Sequence, residues 1–478
     1  VGKTGNPDVD ARLRLTMAET TEPIEEADCT ANLKRAFLAV QSNAGEWEAC
    51  YSPSIMPASA MNANSTRKAP LAGATTALVL LTALNFVNYI DRYVLAGVQE
   101  QIKDEFHVSD AALGSLVFWF LIAYVTVSPI TGWLGDRYPR KPMIVIAAIF
   151  WSSINLFTAF AHSFASLNVR HAALGVGEAS FGIFATAMLA DFFPPADRNR
   201  VLTIFNVAIP VGAALGFVTG GYVGQHYDWR MAFTVSAVPG IVIALLIAVL
   251  MKEPERVGRA SGTHRGFDVA AVKGLARNPA YLCAVGGYAA VTFVTGGLAS
   301  WMPSFLHRMD GRSLGSAGLI MGIVTVVGGL LGTAVGGVIA QRWSRNNPAA
   351  LYLVPAWSAL LTFVPALVCF FGQRLFHTAA LTVPALAVAI FLIFLGNGPV
   401  NAATVNSVPP AVRASALAGQ LLFIHLLGDM SSPSIIGAIS DHSDLGVGLG
   451  STLVMLVAAS VIFFTGARFA KPLVTAPE

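Results

Sequence analysis

Apolar positions along this chain do not alternate or fall on one helical stripe; they run continuously. From about Gly73 onward, stretches of twenty or more mostly hydrophobic residues follow one another, separated by short polar breaks. Each stretch is long enough to cross about 30 Å of hydrocarbon as a helix rising 1.5 Å per residue. Twelve spans are expected, near 73–101, 112–134, 142–161, 164–192, 199–224, 229–251, 280–306, 314–340, 349–371, 376–400, 412–440 and 446–469. Residues 1–66 break the pattern. They are polar, with an acidic cluster from Glu22 to Asp28, and a disordered segment is expected there. Met61 stands directly before the first span and offers an alternative start of translation.

Composition agrees with the pattern: of 478 residues, 55% are hydrophobic and 12% charged, which excludes an ordinary soluble globule. The four cysteines, Cys29, Cys50, Cys283 and Cys369, are scattered without a CxxC, so no metal or redox site is expected. Placement of the basic residues carries more information than the net charge. If the N-terminus is cytoplasmic, eighteen Lys and Arg fall in cytoplasmic breaks against five on the other side, Lys103, Arg230, Arg308, Arg312 and Arg374. The positive-inside rule therefore puts both termini in the cytoplasm.

The chain also repeats itself. "GWLGDRYPRKP" (Gly132 to Pro142) follows the second span, and "GVIAQRWSRNN" (Gly337 to Asn347) follows the eighth; their Gly and two Arg positions superpose with an offset of 205 residues. The expected organisation is a segment 1–66, a six-helix half over 67–251, a basic linker at 252–279, a second six-helix half over 280–470 and a tail at 471–478. Two halves related by an axis along the membrane normal are the anatomy of carriers that rock around a central site.

Gly132, Asp136, Arg137, Arg140 and Lys141 match, in spacing and in position between spans two and three, the loop motif of the major facilitator superfamily. The resemblance covers about 70 to 470 and implies an all-α membrane protein of twelve transmembrane helices in two pseudo-symmetric halves. The loop would act as a cytoplasmic gate, a charge pair across the halves holding one conformation; simple anchoring charges are the alternative. In the second copy Gln341 replaces Asp136, so that latch is expected to be weaker.

A narrower resemblance lies in "NYIDR" of the first span, "LGVGEASF" (Leu174 to Phe181), "NVAIPVGAALGFVTGG" and "HLLGDMSSPSIIGAISD" (His425 to Asp441). These resemble the Spinster branch of that superfamily, whose animal members are associated with export of lysophospholipids and sphingosine phosphates. The resemblance implies a proton-coupled secondary transporter with an amphipathic or lipid-like substrate, in a bacterial inner membrane. No cofactor beyond the coupling proton and no nucleic acid is implied, and a monomer is expected. A carrier of small organic anions is the alternative; a non-transporting sensor or a membrane enzyme fits less well. "GRSLG" (Gly311 to Gly315) formally matches GxSxG but has no strand before it.

Asp91 and Arg92 stand inside the first span, where each ionised side chain costs several kcal/mol unless it is partnered. Glu178 lies near the middle of the fourth span with Gly175, Gly177 and Gly182 around it. In the facilitator fold these spans line the central cavity, so Asp91, Arg92 and Glu178 are expected to cluster, two acids sharing one cation. Burial and a like charge favour the protonated acid and an arginine favours the ionised one, which suits proton coupling by Asp91 and Glu178. Arg92 would balance the empty acid or receive an anionic group of the substrate. A purely structural ion pair is the other reading. Arg170, two turns before Glu178, either joins the cluster or snorkels outward. His425 and Asp429, four apart, are expected to touch, as a proton relay, a substrate contact or a packed pair. Pro433, and Gly296, Gly297 and Pro303, suggest bends in the eleventh and seventh spans.

Overall fold

A computed structural model of the protein describes residues 69–254, 274–409 and 412–470. The segment 1–66, most of the 252–279 linker and the tail 471–478 lie outside the described residues. The described residues are helical, without strands, and form twelve helices long and apolar enough to span a membrane. In chain order these are α1 (Ala74–Phe106), α2 (Asp110–Arg137), α3 (Arg140–Thr158), α4 (Phe164–Phe192), α5 (Pro195–His226) and α6 (Trp229–Leu250). The second half holds α7 (Pro279–Arg308), α8 (Leu314–Ser344), α9 (Ala350–Phe376), α10 (Thr382–Asn406), α11 (Ser415–His442) and α12 (Leu445–Ala467).

Short polar residues set where many of these helices begin. Ser109, Ser163, Asn278, Ser313 and Asp444 precede α2, α4, α7, α8 and α12, and each side chain accepts a hydrogen bond from a backbone N–H in the first turn. Ser313 of the GRSLG stretch is thereby a helix cap. Several ends differ from the hydropathy reading: α1 continues to Phe106 instead of stopping near 101, and α10 begins at Thr382 instead of 376. Lys103 and Glu105 extend α1 past its apolar run because each finds an ion-pair partner, Asp110 and Arg230.

Expected bends are met in part. In α11 the backbone opens into a π-helical turn at His425–Asp429, just ahead of Pro433. α7 stays one continuous helix, and its glycines serve contact instead: a Cβ on Gly296 would lie 2.7 Å from the Asp429 Cα, and one on Gly297 would meet Ile436.

The two halves meet at one end. The backbone of α11 passes under the first turn of α2, where a Cβ on Gly437 would lie 2.4 Å from the Asp110 carbonyl oxygen. The equivalent contact in the other half of the repeat joins α5 to α8: a Cβ on Gly221 would lie 2.5 Å from the Leu314 carbonyl oxygen. Asp110 and Leu314 are the first residues of their helices, so the pseudo-twofold axis is visible in the packing itself. Only glycine permits backbones this close. At the other end, where α2 and α8 finish, a side chain added at Gly132 or Gly337 would meet nothing within 4 Å.

Candidate functional site

The closed end is held by charges. Arg308 of α7 donates to both carboxylate oxygens of Asp110 at 2.7 and 2.8 Å and to Glu100 of α1 at 2.8 Å. Lys103 and Ser440 add bonds to Asp110 at 2.6 and 2.7 Å. Asp441 of α11 accepts from the backbone N–H groups of Asp110 and Ala111 at 2.7 and 2.9 Å, capping α2 from the opposite half. Bidentate arginine–carboxylate bonds of this kind fix geometry as well as adding energy.

Below this plug, between the halves, lies a pocket of about 100 Å³. Arg92, Gln99, Phe120 and His171 line it from the N-terminal half and Gly296, Ser300 and Asp429 from the C-terminal half. Arg92 Nε and Nη2 both donate to Glu178 Oε2, at 3.0 and 2.9 Å. The Glu178 side chain is fully buried while that of Arg92 keeps 21% of its surface exposed. The rings of Tyr89, Phe120 and Tyr124 stand 5.0–5.2 Å from the guanidinium carbon, so Arg92 is caged by aromatic faces and presents its remaining edge to the pocket.

The expected three-member cluster is not formed. Asp91 turns to the other side of α1, away from Arg92, and is fully buried against α3 and α6. Trp151 Nε1 and Asn155 Nδ2 donate to its carboxylate at 3.2 and 2.8 Å, and Asn155 also reaches Ser236 Oγ at 3.0 Å. The cause is helical geometry, since adjacent residues point about 100° apart and only Arg92 faces α4. Arg170 is also elsewhere: its Nη1 donates to the Phe157 carbonyl oxygen at the end of α3, 2.6 Å away. His425 Nδ1 and Asp429 do touch, at 3.0 Å, with Tyr124 of the opposite half packed on the His425 ring at 6.0 Å between centroids.

Around the loop motif, Arg140 pairs with Asp191 of α4 and bonds the carbonyl oxygens of Gly135 and Ala187. Glu253 caps α3 by accepting from the backbone N–H groups of Arg140 and Lys141 at 2.8 and 2.7 Å. The Arg137 guanidinium lies 4.0 Å from the Trp133 ring centre. These contacts join the motif to the N-terminal half and to the first residues of the linker, not to the C-terminal half. Asp136 and Gly132 belong to the last turn and a half of α2, where a Cβ on Gly132 would meet nothing within 4 Å.

Sequence reasoning passed over Gln99 and His171, though a spacing signal exists. Gln99 lies seven residues after Arg92 and His171 seven before Glu178. Seven residues are two helical turns, so both share a face with the ion pair and lie nearer the closed end.

Twelve spans in two pseudo-symmetric halves around a charged, partly open pocket define a transporter fold, not an enzyme. The Major Facilitator Superfamily model matches residues 81–433. Protein spinster homolog 1 of Rattus norvegicus is 36% identical over 395 residues, covering 77% of this chain and 73% of the relative. Protein spinster of Drosophila melanogaster is 32% identical, covering 76% of this chain and 61% of the relative. Among solved structures, a bacterial homologue of the human lysosomal transporter Spinster, inward-facing and unoccupied, superposes with a TM-score of 0.74 at 21% identity over 83% of this chain and 97% of that one. The D-xylose-proton symporter superposes at 0.65, with 16% identity over 83% of this chain and 98% of that one. The chain belongs to the Major Facilitator Superfamily, as a transporter of the Spinster type.

Proposed function

We propose that this protein is a proton-coupled carrier of an amphipathic, lipid-like substrate that works by alternating access. The proposed orientation, supported by the distribution of basic residues, has the Asp136 end in the cytoplasm and the Asp110 end outside, and the proposed location is the inner membrane of a bacterium. With the halves joined at the proposed outer end, this conformation is read as the one open to the cytoplasm. The observation that carries the reading is the Arg92–Glu178 pair: a buried carboxylate whose cation also faces the pocket between the halves. Protonation of Glu178 releases the guanidinium, which is then available to a phosphate or carboxylate of the substrate; departure of the substrate restores the pair and expels the proton. Proton and anionic substrate are thereby bound together, each favouring the other, because both replace the one ion pair.

Asp91 is the second proposed proton site. It is buried without an ion-pair partner among the described residues and is held by neutral donors of α3. An ionised carboxylate so placed is costly unless these bonds are intact, and a helix shift that breaks them favours proton uptake. The D-xylose-proton symporter shares this fold, which supports the proton-coupled reading. No further cofactor is invoked, and a single chain contains both halves of the machine.

Small organic anions are the second reading, favoured by the exposed edge of Arg92. Uptake of labelled lysophospholipid into proteoliposomes with and without a pH gradient tests both. Transport that follows the gradient and is lost in Asp91→Asn and Glu178→Gln is expected. Gradient-driven transport unchanged in both variants removes the proton assignment; no lipid movement by folded protein turns the search to anions.

A further inference from the structure

The pocket holds more polar groups than the ion pair uses. Gln99 is 1% exposed, His171 4% and Ser300 8%, and all three line it. The Gln99 Oε1 atom is buried with no hydrogen-bond partner. Neither the His171 ring nor the Ser300 hydroxyl has one among the described residues; the ring makes only an aromatic contact with Phe120, 5.4 Å between centroids. A polar atom withdrawn from water without a partner costs about 1–3 kcal/mol, so Gln99 Oε1, kept so at a cavity that His171 and Ser300 also line, is arranged for something that fills it. The carboxylate of Asp429 lines the same cavity and is held at one edge by His425.

We infer that Gln99, His171, Ser300 and Asp429 form a headgroup subsite, on the closed-end side of Arg92, that selects a phosphate-bearing headgroup whose far end donates hydrogen bonds. This rests on the proposed lipid-like substrate. With the phosphate at Arg92, the rest of the headgroup extends toward the closed end, into a space of about 100 Å³. A primary ammonium or a hydroxyl satisfies Gln99 Oε1 and Asp429, and a hydroxyl also accepts from Ser300 or His171. A trimethylammonium group donates nothing and leaves Gln99 Oε1 buried and unpaired. The aromatic cage that would suit a quaternary ammonium, Tyr89, Phe120 and Tyr124, is already occupied by Arg92. Sites built to hydrogen-bond a group reject analogues that lack it more strongly than apolar pockets reject extra methyl groups.

The test is a pair of substrates of equal charge, lysophosphatidylethanolamine and lysophosphatidylcholine with the same acyl chain, in proteoliposomes under one pH gradient; free glycerol phosphate is a third arm. At least about tenfold faster transport of the ethanolamine lipid is expected, equivalent to ~1.4 kcal/mol. In Gln99→Leu and Ser300→Ala, each checked for folding by its thermal transition, the ratio of the two rates falls toward one. Equal rates in the unmodified protein, or a ratio unchanged in both folded variants, overturn the subsite while leaving lipid transport standing. Movement of glycerol phosphate with neither lipid overturns both the subsite as a lipid headgroup site and the lipid-like substrate.

Discussion

Arg92 and Glu178 are joined through a single oxygen: Nε at 3.0 Å and Nη2 at 2.9 Å both converge on Oε2. This side-on grip uses one edge of the guanidinium and leaves the other edge toward the pocket. Lysine carries the same charge but cannot offer two fixed donors on one edge and a third to the cavity. Arg92→Lys is therefore expected to lower gradient-driven transport at least about tenfold, ~1.4 kcal/mol in the rate-limiting step. Initial rates in proteoliposomes check this; an unchanged rate would show that only the charge matters.

The glycine seams make the closed end sensitive to a single methyl group. Gly437→Ala places a Cβ 2.4 Å from the Asp110 carbonyl oxygen, where no side chain can move aside because the obstacle is backbone. The variant is expected to favour the state in which this end is apart. Spin labels at His107 and Ser443, exposed on opposite halves, should report a longer distance, and an unaltered distribution would count against the seam as a determinant of closure.

Arg308 joins Glu100 and Asp110 across the halves, while Asp441 caps α2 from the other direction. Arg308→Gln removes the cation from two carboxylates and is expected to shift the population toward the open outer end by about tenfold or more, given ~1.5–3 kcal/mol for hydrogen bonds to charged groups. Combining it with Asp441→Asn should give less than the sum of the separate effects, because both act on Asp110. The same label pair measures both; strict additivity would show that the two contacts work independently.

Outside the spans, Asp444 caps α12 through the Val447 N–H and pairs with Arg374. Partial burial pushes its carboxyl up, but the bonds from Arg374 and Val447 outweigh this and hold it below the usual carboxylate value. A lowered value in the folded state means stability that is present above the unfolded value, about 4, and lost as pH falls through the folded one. Asp444→Ala should cost about 1 kcal/mol as a lost cap at neutral pH and nothing at the acid end. Thermal transitions at several pH values check the sign: a variant equally destabilised at all pH values would contradict it.

Much of the protein follows from the chain read as a line. Twelve apolar runs force twelve helices, because in hydrocarbon each backbone N–H and C=O must be satisfied within its own segment. The 205-residue repeat of Gly132, Arg137 and Arg140 forces two related halves. Charges at Arg92 and Glu178 marked the pocket, since isolated ions do not persist in a membrane interior. His425 and Asp429 meet because four residues make one turn.

What only the tertiary structure decided is which neighbour each side chain faces. Asp91 and Arg92 are adjacent in sequence yet face different neighbours of α1, one bound by Trp151 and Asn155 and the other by Glu178. Arg170 has the spacing to join the pair but finds the end of α3 first. The plug of Arg308, Asp110 and Asp441 draws on residues up to 331 positions apart, which no local pattern links. Gln99, His171 and Ser300 come to one cavity from three helices. Hydropathy and periodicity describe a helix against its solvent; the rotation of each helix about its own axis is set by packing against the others, and that rotation decides the chemistry.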